Sequence, residues 1–199
     1  MEEDPAGRNR FAGRGRGELH PAIRCRDLLE NKVRRSKCES RTSEVRNGDL
    51  DLNIRPATPS DVPALIALER DIAEAAHWTA EQYRDVFNNS VPRRMILIVE
   101  EEACVQGFLV ARSIDAEWEI ENLGIASNLR RRATGTALTR EFLRVARAEG
   151  GISVLLEVRE SNTVAREFYV KLGFLQDGRR KAYYRNPNED AINYRLRFS

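Results

Sequence analysis

Residues 125–174 read IASNLRRRATGTALTREFLRVARAEGGISVLLEVRESNTVAREFYVKLGF. An apolar start is followed by Arg130, Arg131 and Arg132, then by a loop of small residues, and then by an amphipathic helix. Small residues at the start of a helix leave backbone N–H groups free to donate to an anion. The arginines add positive charge at the same place. A phosphate or pyrophosphate is therefore one interpretation, and a cationic surface turn that caps a helix is the other.

The second half of this stretch contains a carboxylate near the end of an apolar strand. Residues 152–158 have the apolar content of a buried strand, apart from Glu157. A carboxylate in that position costs free energy if it is dry and unpaired. Either an ion pair, with Arg159 or Arg166 as the partner, or a role as general base explains it.

The helix over Thr163–Leu172 places two aromatic side chains next to each other. Phe168 shares a helical stripe with Val164 and Leu172, which predicts that Phe168 belongs to the core. Tyr169 then points to a neighbouring face. A tyrosine lying half in the core with a satisfied hydroxyl is the structural explanation.

Outside this stretch, periodicity predicts strand, two helices and three strands before the loop helix, then strand, helix and two strands. Thr58 with Asp61, and separately Thr79, have the types and spacing of helix caps. Two final strands are predicted over 174–179 and 191–198. This order predicts an α/β domain with one mixed sheet covered by helices on both faces, and the strand–helix–strand steps predict parallel or splayed pairs.

The composition is that of a soluble protein with one domain and a tail. The chain has 199 residues, 41% hydrophobic and 32% charged, with a net charge of +2 that gives no whole-chain argument for specific nucleic-acid binding. No apolar run is long enough to span a bilayer, and no secretory signal is evident. Cys25, Cys38 and Cys104 form neither a disulfide framework nor a zinc motif. We therefore expect no metal site and a reducing, cytoplasmic location.

Residues 1–52 differ from the remainder of the chain. They contain the stretch RNRFAGRGRGE and few large apolar residues, which cannot offset the entropy of ordering. We predict an Arg/Gly-rich, disordered extension over 1–52 and a folded domain over 53–199. The arginines of the extension either attract RNA or the ribosome or belong to a solvated tail.

The loop and the strand after it resemble the GNAT acetyltransferases. RRRATGTA, residues 130–137, is similar to the acetyl-CoA loop of that family, Q/R-x-x-G-x-G/A. Ala133 stands at the first glycine position, and Gly135 keeps the second. An alanine fits there if its φ is negative, whereas a positive φ requires the loop to shift.

The downstream motifs narrow the resemblance. LEVRESN at 156–162, FY at 168–169 and LGF at 172–174 are similar to the second half of the GNAT core, in the form found in RimI-type ribosomal-protein-alanine N-acetyltransferases. The resemblance covers about residues 53–198. It implies a GNAT-like mixed, largely antiparallel sheet of about seven strands with helices on both faces.

The resemblance also implies how acetyl-CoA binds. Main-chain N–H groups of the loop would hold the pyrophosphate, and the strand before the loop would offer main-chain groups to the pantetheine. Asn162 matches a family position that contacts the coenzyme. The coenzyme-binding residues implied are Leu123, Gly124, Ile125, Arg130, Arg131, Arg132, Ala133, Thr134, Gly135, Thr136, Ala137, Asn162 and Tyr169.

Glu157 and Tyr169 are the catalytic residues that the resemblance implies. Glu157 would help to deprotonate the acceptor amine, and Tyr169 would protonate the leaving thiolate. Glu119 and Glu121, two apart and hence on one face of the preceding strand, are competing carboxylates. Glu121 is the second choice for the base.

The C-terminal region resembles the RimI type in particular. Tyr183 and Tyr184, with His77 and Trp78, would form a groove for a peptide N-terminus, although an ordinary aromatic pair in a hairpin also explains the tyrosines. Acetylation of the N-terminal alanine of small-subunit ribosomal protein eighteen is the activity implied, and we expect the protein to be a monomer. A GNAT enzyme acting on lysine or a small amine, and a ribosome- or RNA-binding module without turnover, are the alternatives.

Overall fold

The structure, a computed structural model, describes residues 43–44, 52–72, 75–88 and 91–199. The extension predicted over 1–52 lies almost wholly outside these ranges. Where it is described, Ser43–Glu44 forms the two-residue strand β1, which pairs antiparallel with the next strand.

The described residues after β1 form seven strands and four helices in the order that periodicity predicted. The strands are β2 (Asn53–Pro56), β3 (Arg93–Glu101), β4 (Cys104–Ile114), β5 (Glu117–Ile125), β6 (Ser153–Arg159), β7 (Leu175–Arg185) and β8 (Asn188–Arg197). The helices are α1 (Val62–Arg70) and α2 (Ala80–Asp85), between β2 and β3, α3 (Thr134–Ala148), between β5 and β6, and α4 (Thr163–Lys171), between β6 and β7.

All of these strands belong to one sheet, in the order β1-β2-β3-β4-β5-β6-β8-β7. The pairs are antiparallel except β5 with β6, which are parallel and are joined through α3. The prediction of a mixed, largely antiparallel sheet of about seven strands is therefore confirmed.

Helices cover both faces of the sheet because the strands alternate between two apolar cores. On β4, Phe108 and Val110 pack with α1 and α2, whereas Leu109 and Ala111 pack with α3 and α4. This alternation follows from the two-residue period of a strand. None of the helices in the described ranges is long and apolar enough to cross a membrane.

The predicted helix caps are present. Asp61 accepts from the backbone N–H of Thr58 at 2.8 Å, and the Thr79 hydroxyl accepts from the backbone N–H of Gln82 at 3.2 Å. At the end of α3, Gly150 has a φ of +82°, which a glycine adopts without steric cost. Because these caps are local sequence signals, the helix boundaries could be predicted from the sequence.

Three expectations were wrong. Val164 is 78% exposed and Tyr169 is 6% exposed, so the buried stripe of α4 runs through Tyr169 and Phe168 lies beside it. The last two strands are longer than predicted, because the β7–β8 hairpin extends past the end of the sheet core. Cys104 is one half of a disulfide, although no disulfide was expected.

Candidate active site

A gap between β5 and β6 forms the centre of the candidate site. The parallel pairing ends at Ile120 and Leu156, and no further pair joins these two strands. The register of β4 and β5 shifts at the same level, which leaves Glu121 as a bulged residue between Ile120 and Asn122. The gap therefore opens with Glu121 on one side and Glu157 on the other, as expected for splayed strands.

A cavity of about 510 Å³ lies beside this gap on the α1–α2 face of the sheet. We call it the acceptor cavity. It contains six of the candidate residues named from the sequence but neither His77 nor Tyr169. Its lining is Ala76, Trp78, Gln82, Asp85, Arg94, Arg112, Glu119, Ile120, Glu121, Glu157, Tyr183 and Tyr184.

Glu119 and Glu121 are both held by arginines of the neighbouring strands. Arg94 donates two hydrogen bonds to the Glu121 carboxylate, at 2.8 and 3.1 Å. Arg112 donates to Glu119 Oε2 at 2.6 and 2.8 Å and lies 3.6 Å from a Glu121 oxygen. These two carboxylates thus belong to an ion-pair network that fixes them against the sheet.

Glu157 has a different kind of partner. Arg180 of β7 donates from Nη1 to Glu157 Oε1 at 2.8 Å. The partners considered from the sequence were wrong, because Arg159 stacks on the Tyr184 ring at 3.9 Å and Arg166 donates to the Tyr194 hydroxyl at 3.2 Å.

The two tyrosines of the groove reach the cavity through an irregular hairpin. The β7–β8 register shifts between Arg180 and Tyr184, so three residues of β7 lie opposite Asp190 alone. Asp190 accepts from the backbone N–H of Ala182, whose φ is +49°. The negative charge of Glu157 raises the pKa of Tyr183, which fits a hydroxyl lying against that carboxylate.

Glu69 is a buried carboxylate that sequence reasoning missed, and it supports the wall of the acceptor cavity that contains Trp78. Glu69 of α1 is 2% exposed and accepts from the Trp78 backbone N–H at 2.9 Å, Tyr83 Oη at 3.0 Å and Asn122 Nδ2 at 2.6 Å. Burial, followed by the charge of Glu69, raises the pKa of Tyr83. The available signal was a glutamate four residues after buried Leu65, on the apolar stripe of α1.

The loop before α3 exposes backbone donors beside positive charge. Ala133 has a φ of +60° and lacks a side chain that could cap the helix, and Arg131 also has a positive φ of +63°. The first backbone hydrogen bond into the loop comes from Ala137 N to Ala133 O, at 2.9 Å. The N–H groups of residues 134–136 precede it and are therefore free for a ligand.

The loop and the strand before it differ in how tightly their residues are packed. The side chains of Arg130, Arg131 and Arg132 are exposed, and Arg130 Nε donates to Ile125 O at 3.2 Å. A Cβ at Gly135 would lie 3.6 Å from its nearest neighbours, so protein packing alone does not require glycine there. At Gly124, by contrast, a Cβ would clash with Phe108. The left-handed alanine supplies the loop turn that a glycine would otherwise make.

Tyr169 lies on the other face of the sheet from the acceptor cavity. Its ring packs edge-on against Phe168 and Phe174, and burial raises its pKa well above the ordinary value. Within the described ranges, no hydrogen bond joins its hydroxyl to another residue. Asn162 caps α4 by accepting from the Ala165 N–H at 3.0 Å, which gives that residue a structural role in its own right.

His77 lies next to the acceptor cavity. It has a φ of +53° and lines a separate cavity of about 280 Å³ together with Trp78, which faces both. Among the described residues, no group of three or more His, Cys, Asp or Glu side chains has the arrangement of a metal site.

The family model for the acetyltransferase (GNAT) family matches residues 62–174. The chain belongs to the GNAT acetyltransferase family. Enzymes of this family use acetyl-CoA as co-substrate. The free N–H groups before α3, the exposed arginines beside them and the room at Gly135 fit the pyrophosphate of that coenzyme.

Relatives of this GNAT protein carry RimI names. It is 28% identical over 135 residues to the ribosomal protein bS18-alanine N-acetyltransferase of Salmonella typhimurium, covering 67% of this chain and 88% of that protein. It is 37% identical over 86 residues to the N-alpha-acetyltransferase RimI of Mycobacterium tuberculosis, covering 43% and 52%. The crystal structure of the Escherichia coli ribosomal-protein-S18-alanine N-acetyltransferase superposes with a TM-score of 0.65 at 24% identity, covering 74% and 94%.

Proposed function

We propose that this GNAT protein transfers the acetyl group of acetyl-CoA to the N-terminal α-amine of a protein in the cytoplasm. The acceptor is the N-terminal alanine of ribosomal protein bS18. The observation that carries the proposal is the gap between β5 and β6, where Glu157 faces the acceptor cavity. The names of the relatives support the choice of bS18.

Glu157 acts on the acceptor amine. An α-amine has a pKa of about 8 and is largely protonated at neutral pH, so it must lose a proton before it attacks a thioester. Glu157 receives this proton, directly or through water. Glu121 is the weaker candidate, because Arg94 and Arg112 both hold it.

The loop before α3 binds the coenzyme. The N–H groups of residues 134–136 donate to the pyrophosphate, and the exposed side chains of residues 130–132 add favourable charge. Residues 123–125, where β5 still pairs with β4 but no longer with β6, offer main-chain groups to the pantetheine. The acetyl thioester thereby lies in the gap, between the loop and the acceptor cavity.

Tyr169 protonates the leaving thiolate. Because burial raises its pKa, its phenol keeps a proton at neutral pH, and its hydroxyl has no partner among the described residues that would compete for that proton. Its position in the core beside α3, the helix that follows the proposed coenzyme loop, supports this role.

The shape and charge of the acceptor cavity favour a peptide over a small amine. Trp78 and Tyr183 both line the cavity, which is open to solvent. Its lining includes Asp85 and three glutamates against two arginines, an excess of negative charge that suits an ammonium group.

The test is CoA release from acetyl-CoA with a peptide that begins Ala-Arg, beside an N-terminally blocked peptide that contains lysine. We expect turnover with the free α-amine only, and losses of about 10²-fold or more in Glu157→Gln and Tyr169→Phe. Glu121→Gln is the matched variant and should lose less than Glu157→Gln.

Other outcomes would contradict the proposal in distinct ways. Turnover of the blocked peptide would indicate lysine acetylation. Binding of acetyl-CoA without turnover of either peptide would indicate a small-amine acceptor. Salt-sensitive RNA binding without thioester cleavage would indicate a binding module.

A further inference from the structure

We propose that Arg180 forms an ion pair with Glu157 when no acceptor is bound, and that the acceptor ammonium replaces Arg180 at this carboxylate. Arg180 is then a specificity-determining residue, because only a cationic acceptor terminus replaces the charge that it withdraws. This inference rests on the proposed function and concerns the same site.

Exposure separates this pair from the other two ion pairs of the cavity. The Arg180 side chain is 54% exposed, whereas Arg94 and Arg112, which hold Glu121 and Glu119, are 23% and 32% exposed. Exposed single-contact ion pairs stabilise a fold by only about 0–1 kcal/mol. Glu157 is therefore the carboxylate whose guanidinium leaves most easily for solvent.

The β7 bulge holds Arg180 in reach of Glu157 without burying it. Ala191 of β8 lies opposite both Arg180 of β7 and Arg159 of β6, so a single strand separates Arg180 from the strand that carries Glu157. The Arg180 guanidinium lies 4.1 Å from the centre of the Tyr183 ring. This ring offers the guanidinium a cation–π contact that does not depend on Glu157.

The exchange keeps Glu157 paired until the proton transfer. The ammonium replaces the guanidinium, so the partly buried carboxylate never faces a site without a cation. The amine then attacks the thioester carbonyl, and the C–N bond forms as the C–S bond breaks. Of the three ammonium protons, one stays on the amide nitrogen, one passes through Glu157 to solvent, and one replaces the proton that Tyr169 gives to the sulfur.

Product release follows from the same exchange. The acetylated terminus is neutral and offers no cation to Glu157. Arg180 returns to the carboxylate and displaces the product.

The test compares two peptides that differ only at the terminus. One begins with alanine, and the other carries a propionyl group in its place and lacks the amine. Binding of both is measured by calorimetry in the presence of CoA, for the wild type, Arg180→Gln, Arg180→Lys and Arg144→Gln. Arg144, which is 63% exposed and pairs with Glu141 on α3, serves as the matched control.

We expect Arg180→Gln to bind the alanyl peptide about two- to five-fold more tightly, because no competing cation has to leave. Its affinity for the propionyl peptide should not rise, since that peptide supplies no cation. The dissociation constant of the propionyl peptide divided by that of the alanyl peptide should therefore increase two- to five-fold in Arg180→Gln. This ratio should stay near the wild-type value in Arg180→Lys and Arg144→Gln.

A side chain that merely forms a wall of the cavity would change both affinities together. Equal weakening of both peptides in Arg180→Gln, with the ratio unchanged, would overturn the exchange while leaving the proposed function intact. Absence of turnover of the alanyl peptide by the wild type would overturn the proposed function, and this inference with it.

Discussion

The substitution Ala133→Gly should stabilise the protein, because residue 133 is the N-cap of α3 and has a left-handed backbone. Ala133 has a φ of +60° and is exposed. A left-handed backbone costs an alanine roughly 1–2 kcal/mol, and a glycine pays none of this. Glycine gives the unfolded chain extra entropy worth about 0.4–1 kcal/mol. The expected net gain is about 0.5–1 kcal/mol in the free energy of unfolding.

The assay is thermal unfolding supported by urea titration. For a domain of this size, 1 kcal/mol corresponds to about 2–4 °C in Tm, so we expect a rise of about 1–4 °C. Gly150→Ala is the matched reverse change, because its φ is +82° and nothing lies within 4 Å of a Cβ placed there. That variant should lose about 1 kcal/mol from backbone strain alone.

Coenzyme binding gives a second readout of the same substitution. Because the free loop already has a left-handed residue at 133, glycine should leave the acetyl-CoA dissociation constant within about two-fold. A fall in Tm for Ala133→Gly would show that the residue is not left-handed. A gain of ten-fold or more in coenzyme affinity would show that the alanine methyl obstructs the site.

Three further predictions concern the loop, the cavity wall and acid stability. Gly135→Ala should keep the stability within about 0.5 kcal/mol, since its Cβ meets only ordinary contacts, while coenzyme affinity measured by calorimetry falls ten-fold or more. Glu69→Ala orphans three donors and should cost about 3–5 kcal/mol in urea unfolding, against about 1.5 kcal/mol for Tyr83→Phe. Burial alone would raise the pKa of Asp61, but hydrogen bonds from Arg55 and Thr58 outweigh it and hold the pKa below its usual value. The stability from this group is then present above about pH 4 and is lost as the pH falls further, so Asp61→Asn should flatten the acid limb of the unfolding free energy.

The order of the elements and the loop were predictable because they depend on local signals. Apolar periodicity predicted α1, α3, α4 and the long strands, the Thr79 cap predicted α2, and Gly150 marked the end of α3. The stripe of α4 was misjudged because Val164 and Tyr169 both fit a helical period. Only the packing of Phe174 against Tyr169 decides which side is buried.

The cavity walls were less predictable because their contacts join distant parts of the chain. The Arg180–Glu157 pair spans 23 residues, and it depends on a register shift in the hairpin that no turn signal marks. The Glu69–Asn122 bond spans 53 residues. A sequence shows that such residues are polar, but the pairing of β5 with its neighbours decides which of them meet.

The choice between Glu121 and Glu157 as the base shows where sequence reasoning ends. Each glutamate stands one residue beyond the last pair of β5 and β6, so strand position does not distinguish them. Their charged partners do: a bidentate Arg94 holds Glu121, while a single hydrogen bond from the exposed Arg180 neutralises Glu157, beside the neutral hydroxyl of Tyr183. A base must release its counter-ion to meet the acceptor ammonium, and the single exposed contact costs less to break. We therefore predict that Arg94→Gln lowers the stability of the cavity wall without moving the catalytic role to Glu121. The double variant with Glu157→Gln should then turn over no faster than Glu157→Gln alone.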